Sequence, residues 1–180
     1  MSEGRQGALE HTRRLLEAQH NETTGQENLW RALSLQAGDV PILVPINNIV
    51  ELAVCENITP VPLTHPWVRG LTNLRGQLYT VVDLSVLIGG VETRLSRDAR
   101  IVVLSDGGLN SCLLVNDVTG LKVFAEDQPR SPATGIAVQN SDYFTETIHS
   151  DDAEWIVLDV GALVRDDRFQ DASRVKIAPL

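Results

Sequence analysis

Residues 68–84 read VRGLTNLRGQLYTVVDL, two apolar runs on either side of the quartet Asn73-Leu74-Arg75-Gly76. Alternating Leu, Val, Tyr and Thr make a strand pattern. Leu74-Arg75-Gly76-Gln77 suits a tight turn with glycine at its third place, where a positive φ costs least. Counting back by twos, Leu71 and Asn73 share a face with Arg75, while Thr72 and Leu74 point the other way. After the turn, Leu78, Thr80, Val82 and Leu84 alternate with Gln77, Tyr79, Val81 and Asp83. The stretch therefore predicts a β-hairpin. Periodicity alone leaves two readings of its polar centre. Either NLRG is simply a polar tip, or Arg75 is held by an acid elsewhere and frames a binding surface. An exposed Arg–carboxylate pair contributes about 0–1 kcal/mol, whereas breaking a desolvated one costs about 3–5 kcal/mol, so the readings predict different mutants.

Upstream, LWRALSLQ (29–36) alternates with Leu29, Leu33 and Leu35 on one face, and AGD turns it into VPILVPI. NNIVELAVCE (47–56) is expected to form one short helix, with β-branched Ile49, Val50 and Val54 weighing against it. ITPVPL is extended, because each proline disfavours helix at the residue before it, and HPW starts a turn. Downstream, SVLIGG is a short helix stopped by Gly89-Gly90. RIVVL, SDGG and LNSCLLV form a hairpin, and NDVTG leads into the strand LKVF. Residues 125–140 are loop-like with a short element near Ile136. In SDYFTETIHSDD, Tyr143, Thr145 and Thr147 alternate with Phe144, Glu146 and Ile148; EWIVLD follows as a buried strand and VGALVR as a last helical turn. Residues 1–28 form a polar extension, a solvated tail or a docked helix over ALEHTRRLLEAQH. From Asp166 the chain is charged and reads as a mobile tail (166–180). The ordered body thus spans 29–165. Short strands at roughly ten-residue spacing with brief connectors indicate a mainly β barrel or sandwich rather than a βαβ sheet.

Composition narrows the function. At 180 residues the chain suffices for one domain or two small lobes sharing a core. Apolar residues make up 43%, charged 22% and aromatics only 4%, so the core rests on Val, Ile and Leu. A net charge of −9 argues against nucleic acid and anionic lipid as partners. The two cysteines, Cys55 and Cys112, stand in unrelated contexts, with no zinc or calcium spacing around them. No run approaches the roughly 20 apolar residues of a membrane span, and the first residues lack a signal-like apolar segment. A cytoplasmic protein without cofactor or metal is expected. None of His11, His20, His65 and His149 sits in a catalytic frame, and no phosphate-binding glycine motif is present. Asp83 ends an apolar strand, where a carboxylate can act as a base, but it is better placed to cap the helix SVLIGG. A small hydrolase or phosphatase using Asp83 or His65 is the remote alternative.

The stretch VRGLTNLRGQLYTVVDL resembles the signature of CheW-like chemotaxis coupling proteins, a G-x-x-N-L-R-G followed by an apolar strand and Asp-Leu. The resemblance runs from about Leu29 to Arg165. RIVVL with LNSCLLVNDV is similar to the family's second-lobe hairpin, and DYFTETIHSDDAEWIVLDVGALV to its closing strands and helix. Tyr79, the acidic balance and the N-terminal extension are most like the PilI-type branch, which serves type IV pili and twitching motility. The resemblance implies two five-stranded, SH3-like β-barrels sharing a core, with short connecting helices. It also implies a non-enzymatic adaptor bridging the cytoplasmic tip of a methyl-accepting chemoreceptor to the regulatory domain of a CheA-type histidine kinase, in flagellar chemotaxis if not in the pilus system. By matching to the motif, Arg69, Gly70, Asn73, Leu74, Arg75 and Gly76 line the receptor groove. Glu51, on the expected short helix, pairs with Arg75, and Ile49 falls where the family contacts its kinase. Cys112 and Leu114 stand where many members carry glycine, and TETIHSDDAEW lacks the usual glycine-rich turn.

Overall fold

In a computed structural model, residues 29–105, 109–134, 138–150 and 153–170 are described. The expectations for residues 1–28, for the turn at 106–108, for Ile136, for Asp151-Asp152 and for the tail over 171–180 lie outside these residues. The elements are β1 (Leu29–Ala37), β2 (Val40–Pro45), β3 (Ile49–Val54), β4 (Val68–Leu74), β5 (Gln77–Asp83) and the one-turn helix α1 (Leu84–Leu87). They continue with β6 (Arg100–Leu104), β7 (Ser111–Val115), β8 (Asp117–Ala125), β9 (Ser131–Pro132), β10 (Phe144–Ser150), β11 (Ala153–Leu158), α2 (Val160–Arg165) and α3 (Asp167–Gln170).

The strands form two sheets, one in the order β3-β6-β7-β5-β4 and the other β8-β1-β2-β11-β10-β9, in which β9 adds only two residues. Each belongs to one SH3-like lobe of a mainly β fold. The lobes interleave in the sequence. The chain starts one lobe with β1 and β2, crosses over at a single 3-10 turn, Ile46–Asn48, builds the whole five-stranded lobe, and returns through Asn116. This corrects one expectation. The hairpin β6–β7 is not in the second lobe: β7 pairs in parallel with β5, Val81 opposite Cys112, so it shares a sheet with the quartet's hairpin.

The two sheets share the main core. Leu33, Leu35, Ile42 and Val44 of one lobe pack with Val82, Val102, Leu104, Leu113 and Val115 of the other, and Leu87 and Leu163 close the ends. Opposite faces of the same strands fill the lobe interiors. Ala32 and Leu43 join Phe124, Ile148 and Trp155 in one lobe, and Val81, Ile101, Val103, Cys112 and Leu114 cluster in the other. Strands buried on both faces need continuous apolar runs, which is why RIVVL and SCLLV do not alternate.

Three further expectations are corrected. Residues 49–54 form strand β3, not a helix, and the helical signal shrinks to the turn Ile46–Asn48. The β-branched residues prevail because the segment pairs with β6, Ile49 opposite Leu104 and Val54 opposite Arg100, with Val50 at a bulge between Ile49 and Glu51. In β10 the alternation breaks at a bulge between Phe144 and Glu146, so Tyr143, Phe144, Thr147 and Ile148 are all buried. The packed body also continues past Arg165: Phe169 on α3 is buried in the main core.

Candidate functional site

Leu74 pairs with Gln77 across the tip of the β4–β5 hairpin, leaving Arg75-Gly76 as a two-residue connection with φ of 51° and 88°. Positive φ at both positions is the signature of the turn whose twist matches a hairpin, and it favours Asn-Gly. Glycine supplies the second position at no steric cost. At the first, Arg75 holds a conformation that non-glycine residues seldom adopt. The tip is fixed from two sides. Asn73 Oδ1 accepts the Gly76 N–H at 2.8 Å, and Gln77 Nε2 donates to Asn110 Oδ1 at 2.9 Å.

The start of β4 is shaped by close backbone approach. Thr59 and Leu71 exchange two backbone hydrogen bonds of 2.8 Å each, laying residues 57–60 along the β4 edge, and Thr72 Oγ1 donates to the Asn57 carbonyl at 2.8 Å. Gly70 sits beneath this crossing with φ 134°, and a Cβ there would lie 2.0 Å from the Thr59 carbonyl oxygen. Only glycine fits.

Strands β3 and β4 are the two edges of the five-stranded sheet, and its curl brings them to face one another across a groove of about 840 Å³. Leu52, Ala53 and Val54 form one wall, Leu71–Arg75 and Leu78 the other, with Glu56, Asn57 and Arg100 at the end. Arg75 Nη2 reaches Glu51 Oε1 at 3.1 Å across the opening; the side chains are 69% and 25% exposed. Exposed Leu78 and Val54 give the rim an apolar character.

Of the six residues assigned to the groove from sequence, Asn73, Leu74 and Arg75 line it. Gly70 and Gly76 shape the backbone behind them. Arg69, placed in the groove by matching to the motif, does not line it; it stands at a register shift between Val68 and Gly70 and is held by acids elsewhere. Its Nη1 donates to Asp83 Oδ2 at 3.0 Å and to the Thr93 carbonyl, and its Nη2 meets Glu92 at 2.7 Å. Ile49 is half-buried against the main core, and the exposed apolar neighbour on β3 is Val50.

Asp83 does cap α1, accepting from the Ser85 and Val86 amides, and it does more. Fully buried, it also accepts from the Thr93 N–H and hydroxyl at 2.8 Å each and from Arg69. A carboxylate with its lone pairs so occupied has no vacancy for a substrate proton. His65 stacks flat on Trp67, ring centres 4.4 Å apart. Burial pushes the Cys55 thiol above its ordinary range, with Arg69 opposing it weakly, which makes it a poor nucleophile. Among the described residues no group of three or more His, Cys, Asp or Glu is placed to hold a metal ion, and no helix is long and apolar enough to cross a membrane.

A polar cluster the sequence did not reveal ties residues 140–143 to the segment that joins α2 and α3. Tyr143 donates its hydroxyl to Asp166 Oδ2 at 2.6 Å, and Arg168 grips both Asp166 and Asn140. Burial and the Asp166 carboxylate push the Tyr143 phenol up to about 12, and the Arg168 hydrogen bonds hold Asp166 well below the usual carboxylate range.

The model of the CheW-like domain family matches residues 31–168. Protein PilI of Pseudomonas aeruginosa is 24% identical over 146 residues, covering 80% of each chain. Protein FrzA of Myxococcus xanthus is 29% identical over 87 residues, 48% of this chain and 54% of FrzA. Chemotaxis protein CheW of Thermotoga maritima is 27% identical over 99 residues, 55% of this chain and 65% of that one. Among solved structures, scaffolding protein TtCheW from Thermoanaerobacter tengcongensis superposes with a TM-score of 0.64 at 22% identity, over 72% of this chain and 88% of TtCheW; that likeness concerns the fold.

Proposed function

Since the chain belongs to the CheW-like family, we propose that it is a non-enzymatic adaptor coupling a methyl-accepting chemoreceptor tip to the regulatory domain of a CheA-type histidine kinase. It acts in the cytoplasm, recruited to receptor arrays. The observation that carries this reading is the Arg75–Glu51 pair, which spans the groove from a rigid hairpin tip. Asn73, Leu74 and Arg75 present the receptor-facing surface, Gly70 and Gly76 give it its backbone shape, and Arg69 positions it from behind through Asp83. On β3, Val50 supplies the exposed contact for the kinase, and Ile49 supports it from the core side. The occupied Asp83 and stacked His65 favour an adaptor over a hydrolase.

No bond is made or broken in this mechanism. A receptor rearrangement alters the fit at the hairpin face, and the kinase held at β3 registers it, provided the two sites bind differently in the two signalling states. Contacts of this kind are small and polar at the rim, with Arg prominent among the anchors.

The likeness to PilI over 80% of both chains supports the system that controls type IV pili and twitching motility. The likeness to CheW proteins favours flagellar chemotaxis as a second reading. Deleting the gene and scoring twitching against swimming separates the two. The adaptor reading is tested by titrating the chain with a CheA-type regulatory domain and, separately, with a receptor tip fragment. The kinase domain is expected to bind wild type and Arg75→Ala alike, and the receptor tip to bind wild type only. Absence of binding to either partner by wild type would reject the reading.

A further inference from the structure

Arg100, the first residue of β6, lines the groove and is only 9% exposed. Its neighbours in charge are each matched to an acid: Arg75 to Glu51, and Arg69 to Asp83 and Glu92. Arg100 pairs with no carboxylate among the described residues. Its Nη1 donates to the carbonyl oxygens of Arg97 and Ala99. A guanidinium carries five N–H donors, and those on Nε and Nη2 have no hydrogen-bond partner among the described residues. Nor are these nitrogens among the enclosed polar atoms without a partner, which are Trp67 Nε1 and Ser85 Oγ. They are therefore not fully enclosed, and the residue that carries them lines the groove. Removing a cation from water without a counter-ion is costly, and a planar fork with free donors on one side matches a carboxylate in two-point contact.

We propose that Arg100 is an anion-binding anchor in this groove, taking a single carboxylate side chain from an acidic and apolar segment of a protein partner. The walls decide the class of anion. Glu56 shares the end of the groove with Arg100, and Glu51 is neutralised by Arg75. With Glu56 offsetting part of the Arg100 charge, a dianionic phosphate would meet stronger repulsion there than a monoanionic carboxylate, which Arg100 can hold in direct two-point contact. Leu71 and Val54 on the facing walls accommodate apolar neighbours of that acid. The protein source of the carboxylate rests on the adaptor reading; the anion site does not.

Two measurements on the full chain test the proposal. In the first, wild type is titrated with acetate and, separately, with inorganic phosphate, following the Arg100 Nε–Hε resonance by NMR. Acetate should move it saturably and phosphate less at equal concentration; no response to acetate, or a stronger response to phosphate, overturns the proposal. In the second, Arg100→Gln, which retains a donor for the Arg97 carbonyl, is compared with wild type for both partners. Affinity for the receptor tip, the partner assigned to this groove, should fall about ten- to hundred-fold. Neutralising the matching acid on that partner should cost wild type the same factor and the variant nothing. Equal binding of both partners by a folded Arg100→Gln overturns the proposal. If wild type binds neither partner while acetate still moves the resonance, the adaptor reading falls and the anion site stands.

Discussion

Replacing Arg75 by Asn should raise the stability of the fold while removing its recognition surface. Arg75 sits at φ 51°, and the left-handed conformation costs an ordinary residue about 1–2 kcal/mol, which Asn largely escapes. Against that stands the loss of the Glu51 pair. With Arg75 69% exposed, the 3.1 Å contact contributes at most about 1 kcal/mol. Asn-Gly is also the favoured pair for this turn, and the Asn73 bond to Gly76 does not involve the Arg75 side chain. The net change is a gain of about 0–2 kcal/mol, or up to roughly 4–8 °C in Tm for a chain of this size. Thermal unfolding followed by circular dichroism gives the first half of the prediction, and receptor-tip titration the second. A variant that binds normally refutes the proposed role of Arg75. A variant that unfolds more than about 5 °C lower shows that the Arg75–Glu51 pair staples the barrel rather than displaying a surface.

Gly70→Ala should be severely destabilising, by more than about 3 kcal/mol, because its Cβ would overlap the Thr59 carbonyl; chemical denaturation measures it, and a cost under about 1 kcal/mol would mean the crossing is loose. Asp83→Asn should cost about 3–5 kcal/mol by leaving Arg69 without its buried partner, which urea unfolding would reveal as a lowered midpoint at unchanged slope. Because Asp166 has its pKa depressed in the fold, it adds stability above the ordinary carboxylate range that is lost as pH falls through its lowered value. Asp166→Asn should therefore flatten the acid limb of the stability profile. Tyr143, raised to about 12, adds stability below pH 10 that is lost as pH rises through 12. Tyr143→Phe should abolish a phenolate absorbance transition near pH 12.

The sequence disclosed what is local and periodic. β1, β2, β4, β5, β6 and β7 all follow from alternation or from apolar runs bounded by turn residues, and Asp83 before SVLIGG was legible as a cap. Failures came where tertiary pairing overrules local pattern. NNIVELAV has polar residues at helix-like intervals, yet pairing with β6 makes it a strand, as its β-branched residues hinted. A bulge at Thr145 upsets the counting by twos over 143–148, and Arg69, placed in the groove by motif matching, stands at another bulge and does not line it. Phe169, a lone aromatic in a charged run, was the available sign that the body continues beyond Arg165. The groove itself is a product of sheet closure, made where β3 and β4, consecutive in the chain but opposite edges of the sheet, come to face one another, and no periodicity in one segment encodes it. Arg100 was passed over for the same reason: in sequence it is merely the charged end of RIVVL.

The central claim is that this chain joins two other proteins, and co-sedimentation tests it most directly. Membranes bearing the receptor are mixed with the CheA-type kinase, with and without the chain, and pelleted. The account predicts that the kinase pellets when wild-type chain is present and much less in its absence or with Arg75→Ala. A kinase that pellets equally without the chain, or a chain whose binding to one partner excludes the other, would contradict it.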